Sequence, residues 1–174
     1  MTGYLKNKVV YLCGPLGAVD DDGIGWRREI TPHLESLGII VDDPTKSTAS
    51  GIGEVADDKK RFRKLILNED FATLKEQFWP IVRKDLRSVD KSDFLIVNYD
   101  AKVPTVGTYD ECTRASIQKK PILLKYDKTQ LDMFNPWVVT WVKKNEFFSS
   151  WEDLIDYLKN KIDNGIFSSS TWTL

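Results

Sequence analysis

Two adjacent carboxylates, Asp110 and Glu111, stand in the stretch VGTYDECTRA, Val106 to Ala115, at what reads as the first turn of a helix. An acid there has an ordinary explanation, because the helix macrodipole favours negative charge at its N-terminus. A chemical explanation needs partners from elsewhere in the chain. Tyr11, inside the apolar run KVVYLCGP, and Asp85, in the segment KDLRSVDKSD that also holds Asp90 and Asp93, are the candidates. Asp93 has a simpler use as a cap or flank of the strand that follows it. Tyr11, Asp85 and Glu111 brought to one edge of a sheet would make a constellation for acid/base and nucleophilic chemistry with no metal and no cofactor.

The elements that must position these groups alternate between strand and helix. KVVYLCGP is a short β-rich run ended by Gly14-Pro15. WRREITPHLESLG carries Trp26, Ile30, Leu34 and Leu37 at helical spacing, with Gly38 as a stop. Pro32 inside that pattern predicts a kink, or a helix that begins later than Trp26. IIVDDP reads as the second strand, and FLIVNY, Phe94 to Tyr99, as a central parallel strand buried on both faces. Helical TYDECTRASIQKK follows, then the strand ILLKY and a short fifth strand at EFF. Ser149 or Ser150 caps a last helix, WEDLIDYLKNKI, whose apolar face is Trp151, Leu154, Ile155 and Leu158. Repeated βα units predict an α/β fold: a flavodoxin/Rossmann-like open parallel sheet of five strands, with helices on both faces. The chain reads as one domain, 1–174, interrupted after strand two by a largely helical insertion at about 43–83. Ligands of such sheets gather at the carboxyl ends of the strands. Gly14, Pro15, Leu16 and Gly17 follow strand one there, without a dinucleotide fingerprint or a P-loop. Trp26, just beyond them, suits either the core or stacking on a base.

Charge excludes several classes of partner. Lys and Arg number 25 against 26 Asp and Glu, a net charge of −1, so neither a nucleic-acid polymer nor an anionic membrane is expected. No apolar run approaches the roughly 18 residues of a membrane span, and a cytoplasmic location is the expectation. Cys13 and Cys112 lack metal-type spacing and are expected as reduced, buried thiols. His33 reads as a surface or packing residue. DDKKRFR, Asp57 to Arg63, reads as a solvated helix face, and Arg114 and Lys119 as solvent-facing. The aromatic segment FNPWVVTWVKKN and the tail residue Trp172 offer apolar surface to the core or to a second subunit.

Taken in order, VVYLCGP, KDLRSVDKSDFLIV and VGTYDECTRA with the following KKPILL resemble the nucleoside 2-deoxyribosyltransferase family and its relatives, the deoxynucleoside 5′-monophosphate N-glycosidases. The resemblance covers roughly residues 8–42 and 83–126. It implies that Glu111 is the nucleophile and Asp110 a bystander. It implies that Tyr11 orients Glu111 and that Asp85 exchanges a proton with the departing or incoming base. Gly14, Pro15, Leu16, Gly17, Trp26, Thr105, Gly107 and Thr108 become substrate-binding candidates. The implied partners are a deoxynucleoside or deoxynucleotide and a free base, in nucleotide salvage, with a homo-oligomer completing each pocket. Where the transferases of the family carry an aspartate for the 5′-hydroxyl, this chain has Thr105, which moves the expectation toward a 5′-monophosphate; Asp100 in the same loop could restore an acid. Two other classes compete: a nucleotide-sensing domain without catalysis, and a glycohydrolase of a ribosyl dinucleotide.

Overall fold

A computed structural model of the chain describes residues 5–16, 21–46, 55–103 and 105–163. Gly17, the polar part of the insertion at 47–54 and Trp172 lie outside the described residues. The elements run β1 (Val9–Cys13), α1 (Ile24–Ser36), β2 (Ile40–Asp42), α2 (Val55–Leu67), α3 (Phe71–Lys91), β3 (Phe94–Asn98), α4 (Val106–Ile117) and β4 (Ile122–Lys125). A 3₁₀ turn (Lys128–Met133), α5 (Pro136–Trp141), β5 (Phe147–Phe148) and α6 (Trp151–Asp163) complete them.

The five strands form one parallel sheet in the order β2-β1-β3-β4-β5, the doubly wound arrangement expected from the βα alternation. Strand alternation divides its core in two. Val10, Leu12, Phe94, Ile96 and Leu123 pack one face against α1 and α6. Tyr11, Cys13, Leu95, Val97 and Leu124 pack the other against α3, α4 and α5. The order reverses between β1 and β3, so their carboxyl ends open a crevice at the point where Cys13 and Val97 pair.

Three local expectations are refined. α1 starts at Ile24 and continues through Pro32, ahead of the later start that Pro32 allowed. Ser150, rather than Ser149, caps α6, its hydroxyl accepting from the Asp153 amide at 3.1 Å. The insertion does not close at residue 83, since α3 runs unbroken from Phe71 to Lys91 and carries Asp85 in its second half. Its helical part and the crossover helix are therefore one piece. Asp93 behaves as a flank: its carboxylate accepts from the Val9 amide (2.8 Å) and the Lys8 ammonium (3.0 Å), tying the starts of β1 and β3 together.

The carboxyl end of β1 is held by a buried cation. Arg27 of α1, 1 % exposed, donates to the carbonyls of Leu12, Gly14 and Gly23 at 2.7–3.3 Å. It pairs with the buried Asp43 at 3.7 Å. Glycine is required where the chain turns under this fork: Gly23 has φ 72°, and a Cβ there would fall 2.2 Å from the Pro15 carbonyl oxygen. Removing the guanidinium would strand three carbonyls and leave Asp43 as an unpaired buried charge. Arg27→Ala is expected to lower stability by about 3 to 5 kcal/mol in urea unfolding; a loss below about 1 kcal/mol would show that the fork is dispensable.

Candidate active site

Glu111 reaches the switch point because α4 starts earlier than its charge pattern suggests. Thr105 is the N-cap and Val106 the first helical residue, so Asp110 and Glu111 occupy the second turn, not the first. The dipole explanation of the pair loses its force there, since the effect falls off within one turn. Helical rotation then separates the two acids. Asp110 is exposed, whereas Glu111 is buried with 8 % exposure against the sheet.

Both carboxylate oxygens of Glu111 are hydrogen-bonded from β1. The Tyr11 hydroxyl donates to Oε1 at 2.8 Å, and the Cys13 thiol to Oε2 at 2.9 Å. Burial nevertheless dominates and pushes the carboxyl up to about 7, the two donors and the more distant Arg27 opposing it and the Asp85 charge adding to it. Asp85, half-buried on α3, is also pushed up, to about 6, by burial and secondarily by Asp42 at the end of β2; Lys84 and Arg27 pull the other way. Burial, reinforced by Glu111 and Asp85, holds the Tyr11 phenol well above its ordinary range and so keeps it a donor. Tyr11, Asp85 and Glu111 thus form one electrostatically linked group on the α3/α4 face of the sheet.

A cleft of about 220 Å³ opens at the switch point, lined by Pro15, Asp21, Gly23, Trp26, Asn98 and Asp100. Gly14 is outside the lining but closely approached by it, a Cβ there falling 3.0 Å from the Asn98 carbonyl oxygen and 3.2 Å from the Trp26 ring. Leu16 is exposed beside it. Trp26 enters as a wall: its ring stacks on Trp151 at 5.3 Å between centroids and lies against the Arg27 guanidinium at 4.4 Å. Stacking on a base is therefore not its evident use. Its indole Nε1 is buried with no acceptor among the described residues. Thr105, Gly107 and Thr108 sit at the start of α4 outside this lining; the Thr105 hydroxyl is 2.6 Å from that of Thr108. A larger concavity of about 430 Å³, bordered by Tyr126, Leu131, Phe134, Pro136, Val139 and Phe147, is apolar and carries no carboxylate or amine; Tyr11, Asp85 and Glu111 line neither of the two. Among the described residues, no three His, Cys, Asp or Glu side chains are grouped to hold a metal ion, and no helix is long and apolar enough to cross a membrane.

Sequence patterning missed three residues of this neighbourhood. Arg27 was passed over inside an amphipathic helix, and its burial follows only from the carbonyls that converge on it. Cys13 was assigned to the core. Its signal was present, because residues two apart on a strand share a face and Tyr11 is its neighbour on that face. Asp43, at the start of the insertion, gives no local sign in the sequence of its buried pair with Arg27. In contrast, Arg114 is not simply solvent-facing: it makes a bidentate pair with Asp90 at 2.7 Å, clamping α4 to α3. His33 is exposed on α1, as expected.

The raised carboxyl has a thermodynamic signature. A group protonated more readily in the fold than in the unfolded chain binds more protons when folded between the two values, here about 4.5 and about 7, so stability falls as pH rises through that window. Relative to Glu111→Gln, the parent protein is expected to lose on the order of 3 kcal/mol of unfolding free energy between pH 5 and pH 8. Parallel stability curves for the two proteins would mean that Glu111 titrates normally.

The chain matches no protein-family profile and no curated protein. It is similar to several solved structures. A 2-deoxyribosyltransferase from Bacillus psychrosaccharolyticus superposes with a TM-score of 0.62 at 15 % identity, covering 95 % of this chain and 96 % of that one. A conserved protein from Enterococcus faecalis V583 gives 0.56 at 19 % identity, over 89 % of this chain and 99 % of that one. The solution structure of a protein named BlsM gives 0.56 at 20 % identity, over 94 % and 96 %. The chain therefore has, over nearly its whole length, the fold in which a 2-deoxyribosyltransferase is built.

Proposed function

We propose that the protein is a nucleoside 2-deoxyribosyltransferase-like enzyme that cleaves the N-glycosidic bond of 2′-deoxynucleosides or their 5′-monophosphates. The observation that carries this reading is the buried Glu111 carboxylate, oriented by the Tyr11 hydroxyl at 2.8 Å and electrostatically linked to Asp85. Breaking the bond between C1′ and a base nitrogen develops oxocarbenium character at C1′, which a carboxylate on the opposite face can capture. A Glu111 oxygen forms the C1′–O ester while the C1′–N pair leaves with the base, and the base nitrogen takes the Asp85 proton. In the second half a new base attacks C1′ and returns its proton to Asp85, or water does so and the sugar is released. Glu111 leaves as the carboxylate in both cases, so one plan serves transfer and hydrolysis.

The two raised carboxyls suit these roles. The pair titrates with apparent values near 6 and 7, so it shares one proton close to neutrality. Glu111 holds that proton more tightly than Asp85, so the reactive form, with the proton on Asp85 and the charge on Glu111, is the minor of the two one-proton forms.

The described cleft residues favour a neutral 5′-end. Asp21 and Asp100 are two carboxylates in the lining, and the neighbouring cation, Arg27, is already engaged by backbone carbonyls and Asp43. Thr105, the residue that pointed to a monophosphate, has its hydroxyl engaged with Thr108. We infer a preference for the nucleoside, and we take the protein to act as a homo-oligomer, in keeping with the exposed Phe71, Phe78 and Trp79 on α3 and Trp137 and Val139 on α5.

Incubation with each deoxynucleoside and each deoxynucleoside 5′-monophosphate, with and without a second free base, tests the assignment by the products separated. Nucleosides are expected to exceed their monophosphates in kcat/KM by at least about tenfold, equivalent to about 1.4 kcal/mol; the opposite preference would return the weight to Thr105. No base released from any substrate would remove the enzymatic reading. Glu111→Gln should fold yet lose activity by about three orders of magnitude or more, because an amide cannot form the ester. Asp110→Asn should stay within about threefold of the parent, as expected of an exposed bystander. The parent's kcat/KM should be bell-shaped in pH with its maximum between about 6 and 7.

A further inference from the structure

We propose that Cys13 is a positioning residue for the nucleophile, its thiol holding one oxygen of the Glu111 carboxylate while Tyr11 holds the other, so that the plane of attack on C1′ is fixed from a single strand. The role deepens the glycosidase assignment and rests on Glu111 being the nucleophile.

A glutamate's terminal torsion is soft, so one donor leaves its carboxylate free to swing about the bonded oxygen. Two donors on different oxygens remove that freedom. Here both come from β1, two residues apart on one face, Tyr11 paired with β2 and β3 and Cys13 with β3. Each carboxylate oxygen has about two acceptor sites, so one on each remains for the substrate.

The thiol has one proton and three acceptors within reach. The Thr108 carbonyl and the Cys112 sulfur are each 3.9 Å away, whereas Glu111 Oε2 is at 2.9 Å and carries charge. The proton therefore belongs to Glu111, and the Cys112 thiol can donate in turn to the Cys13 sulfur. Cys13 is fully buried, and burial, with Cys112 and Glu111 adding to it, holds the thiol well above its ordinary range. It stays protonated and does not compete with Glu111 for C1′. Among the described residues, the titratable groups around Glu111 are Tyr11 and Cys13 from β1, Asp85 from α3 and Cys112 from its own helix, with Arg27 of α1 acting from across β1, and Tyr11 and Cys13 hydrogen-bond it.

The test reads the carboxyl directly. With glutamate labelled at the carboxyl carbon and Glu111→Gln used for assignment, NMR titration of the parent, Cys13→Ala and Cys13→Ser gives the ionisation of Glu111 without any substrate. Cys13→Ala is expected to raise it by about one pH unit, a tenfold change in the ionised fraction, and Cys13→Ser to bring it back toward the parent. In kinetics, Glu111 being the higher of the two values, the alkaline limb of kcat/KM should move up with it in Cys13→Ala, the plateau of kcat/KM should fall about tenfold, and Cys13→Ser should restore most of both. Should Cys13→Ala not fold, the parent itself supplies the test: its S–H stretching band, lowered by donation to a carboxylate, should rise in Glu111→Gln. An unmoved titration and alkaline limb in a folded Cys13→Ala that still cleaves substrate, or an unmoved S–H band, would overturn the positioning role and leave the glycosidase assignment standing. A shifted titration in a protein that releases no base from any substrate would leave the hydrogen bond standing and remove the role in catalysis.

Discussion

A carboxylate buried against a parallel sheet must be hydrogen-bonded or neutral, and the neighbourhood of Glu111 is organised around that constraint. The side chain is presented by the second turn of α4, which puts it over the carboxyl end of β1 rather than in solvent beside Asp110. Its two donors are successive side chains on one face of β1. They satisfy the charge only partly, since burial still outweighs them. A group held in that balance can exist in either protonation state near neutrality.

The balance depends on a rigid strand end, and Arg27 supplies the rigidity. Its fork gathers the carbonyls of Leu12, Gly14 and Gly23, which have no strand partners where the sheet order reverses. A buried guanidinium carries a desolvation cost, offset here by these bonds and by Asp43. The same cation lies against the Trp26 ring, which stacks on Trp151 of α6. One buried charge thus joins β1, the loop before α1, the residue after β2 and the cleft wall. Glu111 and Arg27 sit on either side of β1 and feel each other through it.

The opposite end of the site is set by α3. This helix carries Asp85 and is clamped to α4 by the Asp90–Arg114 pair, which fixes the two acids' helices relative to each other. The exposed clamp adds little stability in itself. Its value is geometric, because it connects the helix of Asp85 to the helix of Glu111. Phe71, Phe78 and Trp79, on the solvent side of the same long helix, leave an apolar surface that the described chain does not cover.

The amino-acid sequence by itself determined the sheet and its helices and brought forward Tyr11, Asp85 and Glu111 as candidates, for a physical reason. Strand and helix periodicities are local, as are the short runs after each strand where such folds place ligands. Even the fifth strand, only Phe147–Phe148, was legible from its apolar pair before a capped helix. The tertiary structure alone decided which of two adjacent acids is buried, because a helix start is set by how Thr105 leaves the preceding loop and not by charge. It alone gave Cys13 a partner, since a buried thiol looks the same in sequence whether it meets a methyl group or a carboxylate 98 residues away. It alone explained Arg27, whose partners are mostly backbone carbonyls and carry no side-chain signal. The acids that line the cleft, Asp21 and Asp100, come from different loops and meet only because β1 and β3 are neighbours, a pairing set by the long-range contacts of the whole sheet.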